Sequence, residues 1–420
     1  MKFSKYKFGE LLRVTRGASL PGTGYADKGR YLRLTLANFL EEGGFKNFKS
    51  TQGKYFVEAF DNRFLMHKGD LITPLTEQSP GLLGSVAFIP CDGLYIQSQD
   101  VGLITCNSEK LDKRFAYYLF LTQSVRKQIS ARSQQTKIRH TSPDKIADVE
   151  VYLPDLPTQL RIAGVLGSLD EKIELNRKKI AELEALAKAI YDYWFVQFDF
   201  PDKNGKPYKS SGGKMVWNEQ LKREVPEGWE AGELSNICTI STAQCNPARF
   251  SQDTIEHYSI PAFDEGIFPA FDAPQSILSN KFRVVKTAIL YSKLNAQFKR
   301  IWDPLHITDN PIASSEFVVY VPNNALHRGY LYAVLNGEQF FVFANSISSC
   351  STGSRKRFTP ETTYHFSIVL PHSTIVEEFS RQYSVLLNSM RTARLEIDFL
   401  TRQRDALLPL LMNGQVEMAG

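Results

Sequence analysis

One structural unit occurs twice in this chain, 217 residues apart, and each copy ends in a long run of apolar residues at a heptad spacing. Laying residues 136–195 on 353–412 without a gap brings Pro143 onto Pro360, Leu153-Pro154 onto Leu370-Pro371, and Lys137 and Arg139 onto Ser354 and Lys356. In the first copy Ile162, Leu166, Leu169, Ile173, Asn176, Ile180, Leu183, Ala187, Ile190 and Trp194 follow a 4,3,4,3 spacing. In the second, Phe379, Tyr383, Leu386, Met390, Ala393, Ile397, Leu400, Arg404, Leu407 and Leu411 do the same. An apolar period of about 3.5 residues kept over about four heptads is the pattern of a coiled-coil seam. Two such seams in one chain can pair with each other. The predicted fold is therefore mixed α/β (α+β): two globules separated by two long helices that pair as an antiparallel intramolecular coiled coil.

The polar seam residues refine this expectation. Asn176 stands where a polar side chain commonly fixes register at some cost in stability. Its repeat equivalent, Ala393, leaves space for the amide, and Arg404 is the repeat equivalent of Ala187. Such small and large pairs suit one specific pairing.

Around the seams the chain divides into a globule at 1–156, a helical spacer at 157–200, a linker at 201–225, a second globule at 226–371 and a second helical spacer at 372–420. Short β-branched and aromatic runs (Tyr31–Leu36, Leu71–Thr73, Val101–Thr105) and a helical pattern from Leu111 to about Ile129 make the first globule mixed. Pro201 to Pro207 and Ser210-Ser211-Gly212-Gly213 carry turn chemistry and mark the linker. Asn413-Gly414 reads as a helix stop.

Composition excludes several classes. With 43% apolar and 23% charged residues the chain reads as an ordinary soluble globular protein. Its five cysteines, Cys91, Cys106, Cys238, Cys245 and Cys350, are scattered and odd in number, which argues against a disulfide framework or a structural zinc site and fits the cytoplasm. No apolar run reaches membrane-spanning length, so export and membrane insertion are not expected. The net charge of +5 is mild, but it is unevenly spread. Residues 110–145 hold nine Lys/Arg against two Asp, and residues 280–302 hold six with no acid. Local fields of this kind suit a polyanion, although a solvated basic surface gives the same count.

Chemistry of its own is not visible. An amine methyltransferase needs an Asn/Asp-Pro-Pro-aromatic motif, and the nearest strings, Asn246-Pro247-Ala248-Arg249 and Asn310-Pro311-Ile312, lack the second proline and the aromatic. There is no phosphate-binding Gly-rich loop ending in Lys-Ser/Thr, no nucleophile elbow, and no metal-ligand spacing among the seven histidines. The chain reads as a recogniser with no catalytic, cofactor or metal residues.

The run Gln159-Leu160-Arg161-Ile162-Ala163, then Leu169-Asp170-Glu171-Lys172-Ile173-Glu174-Leu175-Asn176, then Tyr193-Trp194-Phe195-Val196-Gln197-Phe198-Asp199-Phe200-Pro201 resembles the central conserved region of the DNA-specificity (S) subunits of type I restriction-modification systems. Asn204 to Lys209 and Val225-Pro226-Glu227-Gly228-Trp229 resemble that family's entry to its second target-recognition domain. The resemblance implies that each globule reads one half of a split, asymmetric site on double-stranded DNA. It also implies that the helices set the gap between the halves. Two modification (methyltransferase) subunits and two restriction (motor and nuclease) subunits would be the partners, carrying S-adenosylmethionine, ATP and Mg. The absent motifs would then belong to the partners, with adenine flipped into their pockets. The second helix lacks the Leu-Asp-x-x-Ile-x-x-Asn string of the first.

Two other readings stay open. The chain could serve a methylase in a different defence machine, or be a coiled-coil scaffold that never touches DNA. Under the DNA reading, the basic polar segments just before each Leu-Pro junction are the candidates for phosphate contact: Lys137, Arg139, Arg355 and Arg357. Gln134, Gln135, Gln97, Gln297 and Lys299 have the residue type that reads base edges. The helix-pairing set is Ile162, Leu166, Leu169, Ile173, Asn176, Ile180, Leu183, Trp194, Leu386, Ile397, Leu400 and Leu407. The aromatic density of Tyr191, Tyr193, Trp194, Phe195, Phe198 and Phe200 exceeds what one seam needs; it fits either core packing or a docking surface.

Overall fold

The structure is a computed structural model that describes residues 2–46, 55–78, 81–133, 139–350 and 355–416, with the Cys350 side chain left aside. Gln134, Gln135 and Lys137 lie outside the described residues. The chain divides into two compact units, Met1–Lys172 with Leu400–Gly420, and Ile173–Phe399.

In the first unit Ser4–Lys7 pairs antiparallel with Glu150–Leu153. A four-stranded antiparallel sheet follows, in the order Leu12–Arg16, Val101–Cys106, Leu71–Pro74, Ala87–Phe88. Its central strand, Leu71–Pro74, is buried along its whole length, which explains why it reads as continuous apolar sequence. The helical pattern from Leu111 resolves into two helices, Lys113–Leu121 and Gln123–Ala131, because Thr122 ends one and caps the other with its hydroxyl. Phe115, Ala116, Leu119 and Phe120 face the sheet, and Phe120 stacks on Phe8 at 4.8 Å.

The second unit repeats this order. Glu230–Glu233 pairs with Ser367–Leu370, and a four-stranded sheet runs Cys238–Ser241, Phe317–Pro322, Ile289–Ser292, Ile301–Trp302. Two helices, Arg328–Asn336 and Glu338–Ser346, then precede the edge strand. Strand partners, helix pair and edge strand thus recur in the same sequence order. The stretch read as a linker is partly folded: Met215–Asn218 and Arg223–Pro226 form an antiparallel hairpin whose Val225 is fully buried.

The heptad residues form two helices, Leu156–Tyr191 and Ser373–Met412, the first continuing into a π-helical turn at Asp192–Val196. Ile162, Leu166, Ile173, Asn176, Ala187 and Trp194 are buried, as are Phe379, Tyr383, Met390, Ala393, Leu400 and Leu411. Leu169, Ile180, Leu183, Leu386, Ile397 and Leu407 are half-buried. Within the second unit Asn176 Nδ2 donates to Glu396 Oε2 (2.9 Å), Arg394 Nη2 to Glu184 Oε1 (3.1 Å), and Trp194 packs on Phe379 at 5.4 Å. Numbers rise along one helical segment as they fall along the other, so the segments pair antiparallel there.

Two seam expectations change. The partner of Asn176 is Glu396 rather than the space beside Ala393, because a carboxylate offers the amide a hydrogen bond that a void does not. Arg404 is not a bulky partner for a small residue such as Ala187. In the first unit it donates through Nη1 to Asp170 Oδ1 (2.9 Å), while the Tyr118 hydroxyl donates to Asp170 Oδ2 (2.6 Å). Burial favours the neutral form of this guanidinium, yet Asp170 and Asp405 outweigh it and raise its pKa. The second helix ends at Met412, and Gly414 supplies the left-handed conformation (φ +68°) that a helix stop requires.

Candidate nucleic-acid interface

The basic segment before each Leu-Pro junction docks on the chain that leaves a central sheet strand. In the first unit Leu71–Pro74 continues into Thr76–Glu77, which pairs antiparallel with Arg139–His140. Glu77 is only 1% exposed and has two jobs. Its Oε1 lies 2.7 Å from Arg139 Nη1, and its Oε2 accepts from the backbone N–H groups of Gly81, Leu82 and Leu83 at 2.9–3.1 Å. Arg139 Nη2 also donates to Ser130 Oγ (2.6 Å) and Ser133 Oγ (2.9 Å).

The second unit does the same with other residues. Ile289–Ser292 continues to Leu294, which bridges to Arg357, and the Asn295 backbone N–H donates to the Lys356 carbonyl (2.7 Å). Arg357 forms a two-point ion pair with Glu316 at 2.8 and 2.9 Å. That hydrogen-bonded pair holds the Glu316 carboxyl below its ordinary range, with burial opposing.

These contacts redistribute the candidate DNA residues. Arg139 and Arg357 are spoken for by internal carboxylates, so they anchor the segment and are not free phosphate clamps. Arg355 and the neighbouring Lys356 are exposed, as are Gln297 and Phe298, the latter 55% exposed. Lys299 donates to the Asn336 carbonyl, and burial lowers its pKa. Gln97 is a correction: it is 2% exposed, and its amide donates to the carbonyls of Thr15 (2.7 Å) and Val101 (2.9 Å), which ties strands together and leaves nothing for a base. A recess of about 500 Å³ opens beside Gln78 in the first unit, lined also by Arg33, Glu41, Leu82 and Asp100. Sequence reading missed Glu77, Glu316 and Arg33, since a carboxylate far along the chain gives no local signal of its arginine.

Among the described residues no group of His, Cys, Asp and Glu is placed to hold a metal ion, and no helix is long and apolar enough to cross a membrane. What remains exposed is cationic and amide-bearing side chains beside the anchored segments. Such groups contact phosphates and base edges.

A family model described as the type I restriction modification DNA specificity domain matches residues 2–185. That match takes in 184 of the 420 residues, so this part of the chain is similar to the DNA-specificity domain of type I restriction-modification systems. The chain is 23% identical over 318 residues to the type I restriction enzyme MjaIX specificity subunit of Methanocaldococcus jannaschii, covering 72% of this chain and 69% of that one. It is 21% identical over 405 residues to the HindI specificity subunit of Haemophilus influenzae, covering 83% and 87%. Among solved structures, the type I restriction-modification S subunit from M. genitalium superposes with a TM-score of 0.60 at 16% identity, over 100% of this chain and 97% of that one. That likeness supports the fold of this chain and leaves its chemistry to be argued from its own residues.

Proposed function

We propose that this chain is the non-catalytic, DNA-reading subunit of a type I restriction-modification complex in the cytoplasm. Each unit reads one half of a split, asymmetric site, and the paired helices act as the spacer. Two methyltransferase subunits and two restriction subunits dock on it and bring S-adenosylmethionine, ATP and Mg. The observation that carries this reading is the duplicated topology, in which the same structural position of each unit holds an anchored basic segment with different side chains around it. A shared scaffold with different exposed residues is what two readers of two different half-sites require. Helices of 36 and 40 residues span about 54–60 Å at 1.5 Å per residue, longer than the roughly 34 Å of one turn of B-DNA, so an unread gap follows.

Mapping methylated adenines in host DNA tests the proposal. A split motif is expected, with one half changing when residues 226–371 are exchanged for those of a related subunit. A continuous palindrome would contradict it.

Arg355 and Arg139 are expected to behave oppositely. In the complex with its methyltransferase subunits, Arg355→Ala should weaken DNA binding and lower the slope of log affinity against log salt by about one. Arg139→Ala should instead destabilise the first unit by about 3–5 kcal/mol, because it strands the buried Glu77 carboxylate. Equal loss of the salt slope in both variants would show that Arg139 is a direct clamp.

A further inference from the structure

The aromatic run after the first long helix is only partly absorbed by the core. Trp194, Phe195, Phe198 and Phe200 are buried, but Tyr193 and Val196 stay 38% and 43% exposed. Beside Val196, within the second unit, lies a cavity of about 200 Å³ lined by residues that include Tyr191, Phe195, Arg223, Tyr330, Gln339 and Ser367. Arg223 enters it from the hairpin strand Arg223–Pro226, with its guanidinium 5.1 Å from the Phe198 ring.

Every other inward-turned arginine of this unit has an acid: Arg300 has Asp264, Arg328 and Arg391 have Asp303, Arg357 has Glu316 and Arg394 has Glu184. Arg223 has none among the described residues. Burial lowers its pKa, and the only groups that oppose this are the phenols Tyr191 and Tyr330. The Tyr330 hydroxyl is committed to the Val369 carbonyl at 2.6 Å. A desolvated cation without a counter-ion is costly, and the cost is removed when an anion arrives.

We propose that this cavity is the socket for a carboxylate side chain, Asp or Glu, presented by a methyltransferase subunit, with Arg223 as the recognising group and Val196 and Leu221 as apolar lining. The inference rests on the assembly reading given above. The recessed position and the small volume suit a single side chain; a duplex phosphate approaches on a broad convex surface. The aromatic walls pack the methylene stem, and the guanidinium fork matches a carboxylate in two-point geometry.

The test uses the full chain and its methyltransferase subunit. Arg223→Met keeps the stem and removes the charge, while Gln339→Trp fills the mouth from an exposed position and leaves Arg223 in place. Each is expected to weaken association about thirtyfold or more, the low end of what truncating a buried charge pair costs, with the unfolding midpoint of the free chain unchanged. A photo-crosslinker at Val196 should label a segment of the methyltransferase subunit that carries an Asp or Glu. Wild-type association in both variants overturns the socket and leaves the assembly reading standing. Failure of the wild-type chain to bind its methyltransferase subunit overturns both. Arg223-dependent stabilisation of the free chain by inorganic phosphate or acetate at millimolar concentration would assign the cavity to a free anion and overturn the partner as its source.

Discussion

Asp303→Asn is expected to destabilise the second unit by about 3–5 kcal/mol, the range for breaking a buried ion pair from one side. Asp303 is 5% exposed and is shared by two arginines. Arg391 of the second long helix donates to both carboxylate oxygens at 2.6 Å, and Arg328 Nη2 donates to Oδ1. Arg328 also holds the carbonyls of Thr287 (3.1 Å) and Ala288 (3.0 Å), so one carboxylate ties the helix Arg328–Asn336, the start of a core strand and the long helix together. Asparagine keeps the shape but removes the charge and leaves two half-buried cations facing each other. The effect should depend on pH in a definite direction. Burial works to raise the Asp303 pKa, but Arg328 and Arg391 overcome it and hold the group below its ordinary value. A depressed folded-state pKa stabilises fully above the unfolded carboxylate value of about 3.9 and loses that contribution as pH falls through the folded value. The stability gap between wild type and Asp303→Asn, measured by denaturant unfolding, should therefore be constant from about pH 5 to 8 and narrow below about pH 4. A gap under about 0.5 kcal/mol at neutral pH would show that the arginines find water instead.

How far the sequence disclosed this molecule depends on the range of the interaction. The heptad spacing is a local property, and so is the fully apolar strand Leu71–Pro74; both are visible in the residues themselves. Chain-distant pairing is not. The segment 280–302 carries six cations and no acid, yet Arg300 finds Asp264 at 2.7 and 2.8 Å, Lys299 finds the Asn336 carbonyl and Lys281 turns inward to Ser279. Counting charges along the chain therefore overstated the free field. Arg139 and Arg357 misled for the same reason, since Glu77 and Glu316 lie far from them in sequence. Gln97 shows the complementary failure: residue type marks what a side chain is able to bind, and burial decides whether it is offered. The hairpin Met215–Pro226 escaped because turn residues at 201–213 masked two short strands behind them.

Phe379→Ala is expected to cost about 3–5 kcal/mol, the range for removing a buried aromatic ring, and to separate the two roles of the second long helix. Phe379 is fully buried one and a half turns into that helix, with ring centroids of Phe195 at 4.7 Å, Tyr383 at 5.2 Å, Trp194 at 5.4 Å and Tyr330 at 6.4 Å. With Tyr191 at 6.3 Å, five rings therefore lose a partner at once, and they come from the end of the helix Leu156–Tyr191, the π-helical turn Asp192–Val196, the helix Arg328–Asn336 and the second long helix itself. None of them shifts easily into the space, because Phe195 is also fixed against Trp229 at 5.9 Å and Tyr330 by its hydrogen bond to Val369. The cavity should persist, which places the cost in the upper part of the range. Leu395→Ala, at a 41% exposed position of the same helix, is the matched control and should change stability by less than about 0.5 kcal/mol. If Phe379→Ala unfolded no more readily than Leu395→Ala, the aromatic cluster would have to be loosely packed, and the second long helix would be held to its unit by Arg391 and Asp303 instead.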